Sequence, residues 1–376
     1  MAVKIVRQPN KIALLGAPTS AAALSLGHEG APAAFRAAGL VDRLRSIGYE
    51  VIDLGDDPPQ LYRPDEESPR ARNLERVLAS LEALKPRVEQ AVKAGALPLI
   101  ISGDCSIALA TIAGLRRYFR HVSMIYMDRD ADVNTPATTR SGCVDGMVVS
   151  HLTGRGAAEM VRFWGEPPLV RDPDLALFGV ARLDPAEEQF LQSAPLRQYL
   201  ADDVRRKGAV AAAETAIERI HGNGNEFALH FDVDVIADFQ ATNNPGTGGL
   251  SLNDVRAALE IFTKQKHLAA IEVTAYNPTK DPDGSALKGI IDLLVDILDK
   301  RLEALKPASI AAEPTSAAAP SKIVEPEKPP VAPPAAPGEA WSSDDLEASE
   351  APEDSNQDSG VPPPENPGES GDSHSE

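Results

Sequence analysis

Seven apolar runs punctuate the first 306 residues: KIALLGAP (11–18), YEVIDLG (49–55), LPLIIS (97–102), VSMIYMD (122–128), LALFGV (175–180), FALHFDVD (227–234) and AAIEVT (269–274). Most are bounded by Gly, Pro or Asp. None alternates cleanly between apolar and polar, which predicts strands covered on both faces rather than strands with one wet side. Between them, apolar residues at helical spacing predict helices over APAAFRAAGLVDRLRSIG (31–48), NLERVLASLEALKPRVEQAVKAG (73–95), a long stretch around 203–220 and SLNDVRAALEIF (251–262). Ser251 can cap the last of these, and Asp254 adds a charge that favours its first turn. Strand and helix in alternation imply an α/β fold, a parallel sheet with helices on both faces. In such sheets the working site lies beyond the carboxyl ends of the strands.

The pattern stops near residue 307. From there to Glu376 the chain holds 14 prolines among Ala, Ser and Glu, with few large apolar residues. Such a segment cannot bury enough surface to offset its ordering entropy, so 307–376 is expected to be a disordered tail. Stretches such as EPEKPPVAPPAAP favour polyproline II, and a solubilising role is the simpler expectation than a specific partner. The tail also carries most of the charge. Formal charge is −19 overall, and residues 307–376 contribute −13 (15 acidic side chains against two lysines), leaving −6 for the first 306. A moderately acidic body argues against binding nucleic acid or an anionic membrane. No run reaches the roughly 18 apolar residues of a membrane span. The N-terminus, MAVKIVRQPNKIALLGAP, lacks a signal-peptide layout. Two cysteines, Cys105 and Cys143, make no disulfide framework and fit a reducing compartment. A soluble, cytoplasmic protein is expected.

The chemistry gathers where strands end. Tyr126-Met127-Asp128-Arg129-Asp130-Ala131-Asp132 places three carboxylates at every second position, which in an extended segment share one face. Carboxylates roughly 6 Å apart repel by about 3 kcal/mol at an effective dielectric near 20. FALHFDVD ends in a second such pair, Asp232 and Asp234, while LPLIIS runs into Ser102-Gly103-Asp104-Cys105 and AAIEVT carries Glu272. If these ends are neighbours, five aspartates and a thiol converge on one small volume. Hard divalent cations are the natural remedy for that repulsion, and this many carboxylates point to two ions.

These stretches resemble the ureohydrolases, the family of arginase, agmatinase and their relatives. The likeness runs through GAPTSAAALSLGHEGAPAAFRAAGL, SGDCSIA, DRDADVNTPATTRSG, FGVARLDPAEE, FDVD and IEVTAYNP, in the family's order. The resemblance implies a single three-layer α/β/α domain over 1–306 with a mostly parallel sheet, assembled as a homo-oligomer, trimer or hexamer. It also implies hydrolysis of a guanidinium-type carbon by a hydroxide bridging two divalent ions, manganese first. Four family aspartate ligands match Asp128, Asp132, Asp232 and Asp234. Both family histidine ligands are replaced, by Cys105 and Asp130. Asp130 still offers hard oxygen, whereas a Cys105 ligand would favour Zn²⁺ or iron. In the loop CVDGM, Asp145 stands where the family carries a proton-shuttling histidine, and Cys143 where a substrate-contacting Asn is common.

On the substrate side the resemblance implies that Asn134, Thr139 and Ser141 hold an amino-acid carboxylate, and that Asp184 and Glu187 match the family's Asp-Pro-x-Glu element, whose aspartate accepts the α-amino group. Neutral donors for a carboxylate and a carboxylate for an ammonium suit a zwitterion. Glu272 is expected to orient the guanidinium, whose planar fork one carboxylate can meet with paired bonds. Arginine hydrolysis to ornithine and urea is therefore the leading expectation. A catalytically inactive member that binds a small ligand or a protein partner, and hydrolysis of agmatine or a formimino substrate, remain as alternatives.

Overall fold

The computed structural model describes residues 5–221 and 225–306. Strands β1 (Lys11–Ala17), β2 (Glu50–Asp56), β3 (Leu97–Ser102), β4 (Val122–Met127), β5 (Leu175–Val180), β6 (Arg197–Leu200), β7 (Glu226–Asp232) and β8 (Leu268–Thr274) form one sheet in the order β2-β1-β3-β8-β7-β4-β5-β6. Every neighbouring pair is parallel. Strands β3, β4, β5 and β8 are buried at every position, as their unbroken apolar runs require.

Successive residues of one strand serve opposite layers. Ile12 and Leu14 join a core with Leu40, Leu44, Val204, Phe262, Ile290 and Leu294. Ala13 and Leu15 join the other, with Val77, Leu81, Leu109, Ile112 and Val149. The result is the three-layer α/β/α sandwich expected from the sequence.

Two expected helices are each divided. The segment 31–48 forms Ala31–Ala37 and Leu40–Ser46, and the stretch around 203–220 forms Ala201–Lys207 and Ala209–His221. Gly39 (φ 81°) and Gly208 (φ 87°) sit at the breaks, where a positive φ ends one helix and re-aims the next. The helices Leu74–Lys93 and Leu252–Thr263 match expectation, and the Ser251 hydroxyl accepts the Asp254 N–H at 3.1 Å. The strand β6 and the helices Ala108–Leu115 and Ser285–Leu305 come in addition to the elements expected from the hydrophobic pattern. The last has apolar residues at 287, 290, 291, 294 and 298, a helical stripe that packs into the first core.

Among the described residues no helix is long and apolar enough to cross a membrane. The tail assigned to 307–376 lies outside the described residues. For the site, the strand order matters most. Growth of the sheet changes direction between the β2-β1-β3 side and the β4-β5-β6 side, and β8 and β7 fill the gap. The carboxyl ends of β3, β8, β7 and β4 are thereby adjacent, at the position where open α/β sheets leave a crevice.

Candidate metal centre

A cavity of about 390 Å³ opens at that crevice. Its floor comes from the four central strand ends: Cys105 beyond β3, Asp128, Asp130 and Asp132 beyond β4, Asp232 and Asp234 beyond β7, and Ala275 beyond β8. Asn134, Ser141, Cys143, Asp145, Asp184 and Glu187 line its walls. Two groups of donor atoms gather within 4.8 Å: Cys105, Asp128, His230 and Asp232 in one, Asp128, Asp130 and Asp234 in the other.

Local bonding explains how the strand ends hold these shapes. The Asp128 carboxylate accepts the Asp130 N–H at 2.7 Å, and Asp232 accepts the Asp234 N–H at 2.7 Å, so each i, i+2 pair is fastened by its own turn. Asp104 accepts from Thr19, Ala22 and Ser106 and anchors the Cys105 turn without reaching the cavity. Asp132 belongs to neither donor group, and its Oδ2 accepts the Tyr126 hydroxyl at 2.5 Å.

Burial and mutual repulsion mark the cluster electrostatically. Burial first, then the neighbouring aspartates, push Asp128 and Asp232 well above the usual carboxylate range. Asp132 is also pushed well above it, by burial and by Asp145. Asp234 rises only to about 6, since Arg129 and Arg182 oppose burial and Asp130. Asp145 rises to about 8 through burial and Asp104, although its carboxylate accepts the Cys105 N–H at 2.8 Å. Glu187 rises to about 7 for want of solvent. The Cys105 thiol is pushed far up by burial and by Asp145 and Asp232.

The first donor group fits a divalent cation. One sulfur, one imidazole nitrogen and two carboxylates are a donor set of the kind Zn²⁺ or Fe²⁺ accepts. The second group fits poorly as it stands. Arg182 grips both oxygens of Asp130, and Arg129 donates to Asp234 Oδ2 at 3.1 Å.

Two expectations for site residues are corrected by the structure. Glu272 is fully buried within β8, where its Oε2 meets His230 Nδ1 at 2.6 Å, and it does not line the cavity. Held inside the sheet, it cannot reach a guanidinium in the cavity; Ala275, three residues on, stands there instead. Thr139 likewise is off the cavity, its hydroxyl accepting the Gly142 N–H at 3.0 Å to close its own loop. Asp184 and Asn134 do meet, at 2.9 Å, and Asp184 and Glu187 form a capping box on the helix Pro185–Ser193. Cys105 and Cys143 are both free thiols.

Among the residues that line the cavity or could ligate, His230, His28 and Arg182 carry titratable or charged groups that the sequence motifs do not single out. His230 lies two residues before Asp232, so the alternation of a strand puts both on one face. That spacing was a usable signal. Arg182 and His28 follow from loop packing, which no local pattern announces.

An all-parallel α/β sheet thus carries a carboxylate-rich cavity at its switch point, lined by donors that could hold a cation. The profile of the Arginase family matches residues 10–298, and the chain belongs to that family. The arginase of Bacillus caldovelox is 28% identical over 297 residues, covering 77% of this chain and 99% of the relative. The arginase of Neurospora crassa is 32% identical, covering 73% of this chain and 81% of the relative. The crystal structure of Bacillus cereus arginase superposes with a TM-score of 0.71 at 26% identity, over 77% of this chain and 98% of that one. Formiminoglutamase from Trypanosoma cruzi shares the fold, with a TM-score of 0.60 at 19% identity, over 79% and 94% of the two chains.

Proposed function

We propose that the chain hydrolyses the C–N bond of a linear amidine borne by an amino-acid-like molecule, with arginine the first substrate to test. One observation carries this reading: the acidic floor and the wall residues Asn134, Ser141, Asp184 and Glu187 face the same cavity. A bound divalent cation would polarise the amidine and make water a stronger nucleophile near neutral pH. Cys105, Asp128, His230 and Asp232 would hold it.

The remaining work falls to the chain's own groups. Asn134 and Ser141 offer neutral donors to a substrate carboxylate, and Asp184 offers charge to its ammonium. Hydrogen bonds from the cap of its helix and from Asn134 outweigh burial and keep Asp184 below the usual carboxylate range, so it is ionised near neutrality. Asp145, at about 8, carries a proton at neutral pH that can pass to the leaving amine. The relatives' names support arginine, and agmatine, which lacks a carboxylate, would make no use of the donors that Asn134 and Ser141 offer at the cavity wall.

The test is urea release from arginine with Mn²⁺, Zn²⁺ and Fe²⁺ supplied separately, beside agmatine and formiminoglutamate. Urea formed only with added metal is the expected result; turnover of a different amidine would move the substrate, and none with any would sink the reading. Asp184→Ala is expected to raise KM for arginine at least tenfold with a smaller change in kcat. The same variant loses its helix cap, which costs about 1 kcal/mol of stability. A KM unchanged in that variant would remove Asp184 from the substrate site.

A second reading is favoured by Ala275 and Arg182. No acid from β8 faces the cavity to orient a guanidinium, and Arg182 already places one beside Asp130. A protein that binds an amino acid without turning it over fits those two facts. Calorimetry with arginine and no product would establish it.

A further inference from the structure

We propose that this chain holds one divalent cation rather than two. The cation sits among Cys105, Asp128, His230 and Asp232, with Glu272 orienting His230, while Arg129 and Arg182 supply at Asp234 and Asp130 the positive charge of a second ion.

The nitrogen donor comes from inside the sheet. Register places Tyr126 of β4 beside His230 of β7, and His230 beside Glu272 of β8. One row therefore runs beneath the strand ends, two residues behind Asp128, Asp232 and Thr274 and on the same face. The His230 ring stacks flat on Tyr126, centroids 4.3 Å apart, which fixes its plane. Glu272 accepts from Nδ1–H, and that tautomer turns the Nε2 lone pair toward the Thr274 hydroxyl, 3.3 Å away and beside Cys105, where a cation would take the hydroxyl's place. A carboxylate holding the far nitrogen of an imidazole is the arrangement that orients histidine ligands toward metals. Glu272 Oε1 is buried without a hydrogen-bond partner. A buried carboxylate left half-satisfied is costly unless positive charge lies nearby, and a cation on the far side of His230 provides it. Cys105 Sγ lies 3.1 Å from Asp232 Oδ2 and 3.3 Å from Thr274 Oγ1, so sulfur, nitrogen and oxygen donors already share one spot.

The second position is filled differently. Arg129 is the largest fully buried side chain, and its Nη2 bonds both Asp234 and the Asn244 carbonyl. Room for it is made at Gly246, where a Cβ would run into the guanidinium. Arg182 reaches Asp130 from the segment after β5, pinned there because the Ala181 and Arg182 N–H groups donate to the Arg129 carbonyl. Two guanidinium groups thus meet two of the three carboxylates that a second ion would need. A planar donor fork matches a carboxylate without any ion between them.

The measurement is elemental analysis of the purified full-length chain after equilibration with Zn²⁺, Fe²⁺ or Mn²⁺, with calorimetry for each ion. One ion per chain, Zn²⁺ bound at least tenfold tighter than Mn²⁺, is expected. Two ions per chain, or none, would overturn the proposal. Cobalt loading should give a sulfur-to-metal charge-transfer band that Cys105→Ser loses while binding persists; a wild-type complex without that band would remove Cys105 from the site. Glu272→Gln is expected to weaken Zn²⁺ binding 10- to 100-fold and shift the cobalt spectrum, a change that a purely structural role would not produce. Arg182→Ala, at a side chain half exposed, should fold normally and admit a weak second ion. Stoichiometry still at one in that variant would show that the guanidinium is not what limits it. The inference rests on the family's metal site but not on turnover. A chain with one ion and no product would sink the hydrolase reading and leave this one standing.

Discussion

Metal-stripped protein is expected to melt several degrees lower at pH 8.5 than at pH 6.5, and a saturating divalent cation is expected to flatten or reverse that slope. The sign follows from which state holds more protons. Asp145 sits at about 8 and Glu187 at about 7, and burial pushes Asp128, Asp132 and Asp232 well above their ordinary range. Released into solvent by unfolding, these groups lose their protons near pH 4. A raised carboxylate stabilises the fold below its unfolded pKa and loses that contribution as pH climbs through the folded value. The buried histidines work the other way. His28 and His151, both lowered to about 4 by burial, disfavour the fold only below about 6.5, where the unfolded chain protonates and they do not. Between 6.5 and 8.5 the carboxylates act unopposed by them. One net proton across two pH units is about 2.7 kcal/mol. At about 2–4 °C per kcal/mol, that is roughly 5–10 °C of melting temperature. A bound cation holds its carboxylates ionised and competes with the protons, so its stabilisation should grow with pH. Melting curves on stripped and reloaded protein decide the matter. A stripped protein whose Tm stays level from 6.5 to 8.5 would show that the cluster is not repelling itself.

The sheet was legible because most of its strands are buried on both faces, leaving apolar runs with sharp Asp, Gly and Pro ends, and the exposed edge strand β2 still carries Val51, Ile52 and Leu54 between Tyr49 and Gly55. The short edge strand Arg197–Leu200 was not, since its burial is partial and its composition mixed. Helix breaks at Gly39 and Gly208 were also hidden, because a glycine within a helical pattern reads the same whether it is tolerated or re-aims the chain. At the site, carboxylate positions at strand ends could be read directly from their i, i+2 spacing, and the structure gathers them in one cavity. What could not be read was direction along β8. Glu272 and Ala275 lie three residues apart, and only the point where the strand leaves the sheet decides which faces the cavity and which stays within. His230 shares the face of Asp232 by its i, i+2 spacing, but only its register partner Glu272 shows that the ring is oriented as a ligand.

These two misplacements are physically linked. Glu272 removed from the cavity is Glu272 made available to His230, so the loss of an expected substrate contact coincides with the gain of an oriented imidazole. The arginines extend that logic. Arg129 occupies the position between Asp128 and Asp130, where its side chain turns to the opposite face of the segment and still finds Asp234. The acidic floor therefore meets guanidinium groups at one end and presents a cation-compatible donor set at the other.

Asp128→Asn should separate these contributions most sharply, because Asp128 belongs to both donor groups. The amide keeps the shape and the oxygen that accepts the Asp130 N–H, but it carries no charge and is a poor cation ligand. Zn²⁺ or Mn²⁺ binding is expected to fall at least 100-fold, leaving purified protein with under about a tenth of an ion per chain, since each lost carboxylate ligand removes several kcal/mol of attraction. Stability in the absence of metal should move the other way. Burial and Asp232 push Asp128 well above the usual carboxylate range, so on the acidic side of its titration the exchange swaps one neutral group for another and is nearly neutral. At pH 8.5 the wild-type cluster is losing protons, and removing one of its members relieves repulsion from Asp232, Asp132 and Asp234. The variant should then melt higher than stripped wild type, by about 2–8 °C for a gain of about 1–2 kcal/mol. It should show little of the Tm rise that metal gives the wild type. Metal content unchanged in the variant would refute the site outright. A variant that loses metal but melts lower at pH 8.5 would keep the ligand assignment while refuting repulsion as the force that a cation relieves.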